Sequence, residues 1–407
     1  MLKVRKSDIY VLLIILFPIC SLAGGILSYY DELLGLIFMI YAISHLFLKR
    51  CNNNSKKIVI ILGLISILGI ISNISSKLID NPFPIMVDFI SLWKTFSCFF
   101  FFQSICGDLR KRNYIIYKLR RIAKFVILFV ALTSIIQQFT DIGAGGHNSS
   151  VYFGLKQYGF FWNNSISTGW LIFGCLLILA ASHEEKIIKY FLISCLPLLL
   201  TFSSLVYCWL FVSVFLYVIL RRDGVFKIRY VVVLAVAVMA FSFSDITTYF
   251  YDFNSPRMMF ILYGIRTANT YFPIGSGFAT YGTEMAARYY SNLYRSYGWS
   301  NLWTLGENGQ FLNDAFFAGI LGQFGWIGFV LYLGCVYLLY KSINTKALEK
   351  EERVLSLATV ITLAVVMISS GAAKSIMGVF MFSILGIVAG ENNENGKVCY
   401  TARKSIG

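Results

Sequence analysis

Apolar stretches of about 18 to 20 residues, the length an α-helix needs to cross a hydrocarbon core, recur along this whole 407-residue chain. Within lipid each such stretch must satisfy its own backbone donors and acceptors, which leaves helices as the economical solution. We read about twelve of them, at roughly 9–28, 32–48, 58–75, 85–105, 123–140, 165–182, 189–203, 204–220, 230–247, 310–340, 354–371 and 376–390. Only 14% of the residues are charged, where a soluble domain carries about a quarter. The first run follows Lys3, Arg5 and Lys6 and lacks a small-residue cleavage pattern, so we count it as a span and not a signal peptide. The expected fold is therefore an all-α polytopic membrane protein.

The net charge of +15 could suggest a nucleic-acid partner, but its placement argues against one. With the N-terminus inside, all but eight of the 35 Lys and Arg fall in segments between spans on that side. This bias assigns both termini to the cytoplasm. Two external loops of useful size remain, 141–164 and 242–309. The nine cysteines contain no CxxC pair, so neither a zinc site nor a disulfide framework is supported.

The eight exceptions are Lys77, Lys94, Lys156, Arg257, Arg266, Arg288, Arg295 and Lys374. Arg257 follows Ser255-Pro256, a helix start with Ser at the N-cap and Pro in the first turn. A helix over about 256–270 would aim backbone donors and guanidinium the same way, which suits a phosphate. The plainer reading is an arginine reaching lipid head groups. Arg266, nine residues on, is half a turn out of phase with Arg257 on a continuous helix.

Pro273-Ile274-Gly275-Ser276-Gly277 ends that helix, and its glycines permit a close approach by substrate or form a simple loop. Tyr281, Tyr290 and Tyr294 belong to an aromatic run that suits sugar rings, or equally an interfacial belt. Asp314 and Glu307 flank the return to the membrane, and either could take a proton from an acceptor hydroxyl if within reach. A helix-start carboxylate is the alternative for Asp314. His147, between glycine-rich and polar residues, reads as a loop residue or a site residue, and Lys156 as a second anion contact. Asp88 and Lys94 are charges within or beside a span, functional by default, yet six residues apart and so not a helical pair.

These residues carry a resemblance. Arg257, Arg266, Pro273-x-Gly275-x-Gly277, Thr280-Tyr281-Gly282, Tyr290-Ser291-x-Leu293-Tyr294, Asn313-Asp314 and Gln323-Phe324-Gly325-Trp326-Ile327-Gly328 resemble the signature of bacterial O-antigen polymerases of the Wzy type. The wider O-antigen ligase/polymerase superfamily shares much of it. Arg266 to Gly277 is similar to the Arg-x10-Gly pattern of external loops in such polymerases, and Gly159 to Asn164 to their other external motif.

The resemblance implies a glycosyltransferase C-like enzyme of the bacterial inner membrane with a periplasmic site. It would move a glycan from undecaprenyl pyrophosphate to the non-reducing end of a new lipid-linked repeat unit. Neither metal nor cofactor is implied; the partners implied are the lipid-linked oligosaccharide, membrane lipid and a chain-length regulator protein, with no nucleic acid. Arg257, Arg266, Asp314 and Glu307 become candidate catalytic residues. Lys156, His147, Arg288, Gly275, Gly277, Tyr281, Tyr290 and Tyr294 become candidate substrate contacts.

Two departures stand out. The family often has an arginine in the smaller loop, where this chain has Lys156, and ligases of the superfamily use a histidine in the long loop, which here has none. The second departure favours polymerase over ligase. A flippase for lipid-linked oligosaccharide is the alternative outside enzymes.

Overall fold

The computed structural model describes residues 6–46, 53–146, 151–162, 164–223, 255–307, 309, 311–344 and 348–390. It is an all-α membrane protein. Among the described residues the only strands are the two-residue β1 (Val151–Tyr152) and β2 (Leu155–Lys156) of a small hairpin.

The apolar helices are α1 (Lys6–Ala23), α2 (Tyr30–His45), α3 (Asn53–Ser76), α4 (Pro82–Cys106), α5 (Leu109–Phe139), α6 (Ser165–Ala181), α7 (Ile187–Leu200) and α8 (Ser204–Asp223). Beyond 255 come α9 (Pro256–Thr270), the short α10 (Glu284–Arg288) and α11 (Asn292–Ser296), then α12 (Phe316–Ile343), α13 (Lys350–Ser369) and α14 (Ile376–Val388). Among the described residues five segments are long and apolar enough to cross a membrane: Gly25–His45, Asn53–Ser76, Pro82–Cys106, Leu109–Phe139 and Phe316–Ile343. The expected span at 230–247 lies outside the described residues, as do both termini and His147.

One boundary differs from expectation for a physical reason. α5 starts at Leu109, well before 123, because Asp108 caps it by accepting from Arg110 N and its basic first turns are helical without being apolar. Arg112, buried there, donates to Glu352 at the start of α13 and to the carbonyl of Ile387. Arg120 and Lys124 of α5 likewise meet Glu184 between α6 and α7. The division within 189–220 falls where expected, at Thr201–Ser203 ahead of a helix that begins at Ser204, and Phe202 there adopts a positive φ of 46°.

α12 is broken at Gly325, whose φ of 63° and ψ of −168° are not helical. A break of this kind strips the preceding carbonyls of their intrahelical donors. The Pro273–Gly277 segment supplies replacements: Ser276 N donates to Gly322 O (3.0 Å) and Gly277 N to Gln323 O (2.8 Å). On its other flank the end of α3 holds the same segment. Ser72 donates to Ile274 O, Ser76 to Ser276 O, and Asn73 both accepts from Phe278 N and donates to Phe278 O.

The glycines are required by this docking. A Cβ on Gly275 would lie 2.3 Å from Gly325 N, and one on Gly277 would lie 2.6 Å from the Asn73 side chain. Both residues have positive φ, 80° and 101°. Close approach was expected from a substrate; the approaching groups are instead α12 and α3.

Gly275→Ala should therefore unseat the segment. We expect a loss of about 2 kcal/mol or more, from the positive φ together with the clash, read as a lower melting temperature of the detergent-solubilised protein. A melting temperature equal to wild type would contradict this packing.

Candidate functional site

Once seated, the inserted segment carries Ala279 to Asp88 of α4: Ala279 N donates to Asp88 Oδ2 (2.8 Å), and Gln323 Nε2 of α12 donates to the same oxygen (2.5 Å). Asp88 is buried and lies on the wall of a polar cavity of about 340 Å³, within the size range of small-molecule sites. α2, α4, α6, α12 and α14 begin around this cavity and α13 ends there. In the charge-derived topology all of these ends share one side.

Three groups of charge face the cavity. Lys94 of α4 donates to Asp31 (2.5 Å) and Glu32 (2.7 Å) of α2, so it carries its own counter-charges. Its expected separation from Asp88 holds, since its acids come from another helix. Asp314, just ahead of α12, pairs through Oδ2 with Arg257 Nε of α9 at 2.8 Å. Burial pushes the Asp314 carboxyl above its usual range, and the adjacent guanidinium offsets this only in part. Lys374 lies in the 3-10 turn Gly371–Lys374 between α13 and α14, its Nζ 4.5 Å from the centre of the Phe316 ring. Burial brings its ammonium down to about 8.

The remaining wall is rich in hydroxyls and amides: Asn164 and Ser167 at the start of α6, Thr283, Asn313 and Ser370. Hydroxyl and amide groups with four carboxylates and two lysines suit a polyhydroxylated ligand. A second cavity, about 220 Å³ between α7, α8 and α13, is walled mainly by Ile, Val, Leu and Phe and offers no such set.

The sequence-derived candidates divide accordingly. Asp314 is on the cavity wall, and Arg257 stands directly behind it. Arg288 is exposed at the rim, where it donates to Tyr29 and Glu284, both wall residues. Arg266 is elsewhere: it is exposed, its guanidinium 5.6 Å from the ring centres of both Tyr263 and Tyr297. The half-turn offset from Arg257 predicted this separation. Glu307 is exposed and pairs with Arg295 at 3.3 Å, away from the wall. Lys156 sits in β2, and the smaller loop reaches the cavity through Asn164 instead. Gly275 and Gly277 are consumed in packing, as described.

Tyr281, Tyr290 and Tyr294 are buried in a second core with Phe260, Leu293, Trp299 and Leu305. Tyr281 donates to Phe260 O, Tyr290 to Leu305 O, and Tyr294 accepts from Gly282 N. Their rings are the core of the cap and not an open sugar platform. An aromatic-rich loop outside the spans can fold in this way because Phe, Tyr and Trp bury large areas.

Sequence reasoning missed Lys374 as a site residue, although it stood among the eight cations on the wrong side of the charge bias. It lies in a turn of only a few residues, and nothing local distinguishes it. No protein-family model matches this chain, and no curated protein matches it either.

The Arg257–Asp314 pair, with side chains 21% and 23% exposed, should show coupling on the order of 1 kcal/mol. Thermal unfolding of Arg257→Ala, Asp314→Ala and the double variant measures it. Additive losses would mean that the pair does not act as a unit.

Proposed function

We propose that the protein is a polysaccharide polymerase of the Wzy type, which elongates a glycan carried on undecaprenyl pyrophosphate at the periplasmic face of the bacterial inner membrane. The observation that carries this reading is a polar cavity at the mouth of an apolar bundle, where Asp314 and its arginine partner meet a hydroxyl-rich wall. A lipid-linked substrate keeps its prenyl chain in the bilayer and brings its pyrophosphate and sugars to such a place. The motifs that resemble the polymerase signature build this cavity: the Pro-x-Gly-x-Gly segment seats Asp88, and Asn313-Asp314 forms part of the wall.

In the reaction, a hydroxyl of the new repeat unit attacks the anomeric carbon at the reducing end of the growing chain. The bond from that carbon to the pyrophosphate oxygen breaks, the carbon–oxygen bond to the acceptor forms, and the hydroxyl proton passes to Asp314. Undecaprenyl pyrophosphate departs with the bonding electrons. A carboxylate held above its usual range accepts that proton more readily than a solvated one. Arg257 acts through Asp314 by fixing its position and charge.

Deleting the gene should leave lipid A–core capped by a single repeat unit on a gel. Unchanged long chains would exclude a polymerase, and no repeat at all would indicate a ligase or a flippase. In a complemented strain, Asp314→Asn should lower elongation by about 10²- to 10⁴-fold at unchanged protein level. Arg266→Ala, off the cavity, should retain a ladder. A normal ladder from Asp314→Asn together with a lost one from Arg266→Ala would move the site to the other face of α9.

A further inference from the structure

The cavity contains two lysines in different situations. Lys94 is neutralised by two carboxylates at hydrogen-bond distance. Lys374 has no carboxylate partner among the described residues, and its only ring contact there is Phe316. Gly371 of the same turn packs on the backbone of Asn313, where a Cβ would come within 2.7 Å of the Asn313 carbonyl. That contact, with Ser370 capping the turn by accepting from Ala372 N, fixes the lysine's turn beside Asp314.

We propose that Lys374 is the phosphate anchor of this cavity: its ammonium receives the pyrophosphate of the lipid-linked substrate, beside the carboxylate that receives the acceptor's proton. The inference rests on the polymerase reading and adds to it the place of the leaving group. The Lys374 ammonium makes no hydrogen bond or ion pair among the described residues, with Asp88 the carboxylate whose charge acts on it, and a bound phosphate takes up those unspent donors. Phe316 holds the Nζ by its ring face without neutralising it.

The acids around Lys374 come from four elements and leave its ammonium without a hydrogen bond. Asp88 of α4 accepts two hydrogen bonds from Ala279 and Gln323. Asp314 is paired with Arg257, Glu32 with Lys94, and Glu284 with Arg288. Asp314, Glu32 and Glu284 thus have cationic partners of their own, while Asp88, whose donors are uncharged, is the acid that acts on the lysine. The sign of the linkage follows. Lys374 is charged below about pH 8 and loses its proton as the pH rises through that value, so an anion that binds the charged form must raise its proton affinity and draw a proton from solution.

The test is calorimetry on the full-length protein in phosphatidylcholine nanodiscs. The probe is a short-chain prenyl pyrophosphoryl sugar, a diester with no phosphate proton to lose near neutral pH. Measured in buffers of different ionisation heat, wild type should take up about half a proton on binding at pH 8 and little at about pH 6. Lys374→Gln should bind about 10- to 100-fold more weakly. Lys374→Arg should keep the affinity within a few-fold while losing the uptake at pH 8, because a guanidinium does not titrate there. Any contribution from Asp314 persists in Lys374→Arg, so the difference isolates the lysine.

Wild-type affinity and uptake in Lys374→Gln would overturn the anchor while leaving the polymerase reading intact. No binding by wild type would overturn both. Loss of uptake in phosphatidylglycerol nanodiscs would show that a bulk lipid head group is the occupant, and saturation by inorganic pyrophosphate at equal affinity would show a free-anion site; either would overturn the assignment to the lipid-linked substrate.

Discussion

The structure depends on one exchange of backbone hydrogen bonds. α12 breaks at Gly325, and the carbonyls this exposes at Gly322 and Gln323 are taken by the amides of Ser276 and Gly277. An unsatisfied carbonyl in an apolar bundle would cost several kcal/mol, so helix break and inserted segment require each other. From that junction the chain runs through Ala279, held by Asp88, to Thr283 and Glu284 on the cavity wall. The end of α3 clamps the same segment with Ser72, Asn73 and Ser76. Fold and site are thus continuous, and a defect at Gly275 or Gly325 reaches the cavity through a few residues.

Charge is sorted between the two ends of the bundle. Arg112–Glu352, and Arg120 and Lys124 with Glu184, tie together segments that the positive-inside bias assigns to one side. Lys94, Asp88, Asp314 and Lys374 gather at the other. Lys94 is compensated by two acids and Asp314 by Arg257, while Asp88 accepts from an amide and a glutamine side chain and its charge acts on Lys374. Buried charges persist when they are paired in this manner. Lys374 makes no ion pair among the described residues, and on the proposed reading it sets a cation for the leaving group next to a base for the acceptor.

Much of this was legible in the sequence because it is local. The helix start at Ser255-Pro256 yields α9 over Pro256–Thr270, and the nine-residue spacing separates Arg266 from Arg257. Apolar run length locates α3 and α4 within a few residues. What failed was long-range. The partners of Gly275 and Gly277 are about 50 and 200 residues away, so their close approach could be read but not its object. Tyr281, Tyr290 and Tyr294 have the composition of a sugar platform and of a small core alike; only the folded cap, with every hydroxyl turned to backbone, decides between them. Lys374 owes its character to α4, to Asn313 and to Phe316, which no spacing near residue 374 reveals.

On the proposed reading, the reactive end of a lipid-linked glycan lies in the cavity between Lys374 and Asp314. Electron cryomicroscopy of the protein in nanodiscs with a pyrophosphate-linked repeat unit tests that placement directly. The expected result is phosphate density against Lys374 with the first sugar toward Asp314 and Asn313. Phosphate density on the exposed face of α9 at Arg266, with the cavity devoid of substrate, would contradict it.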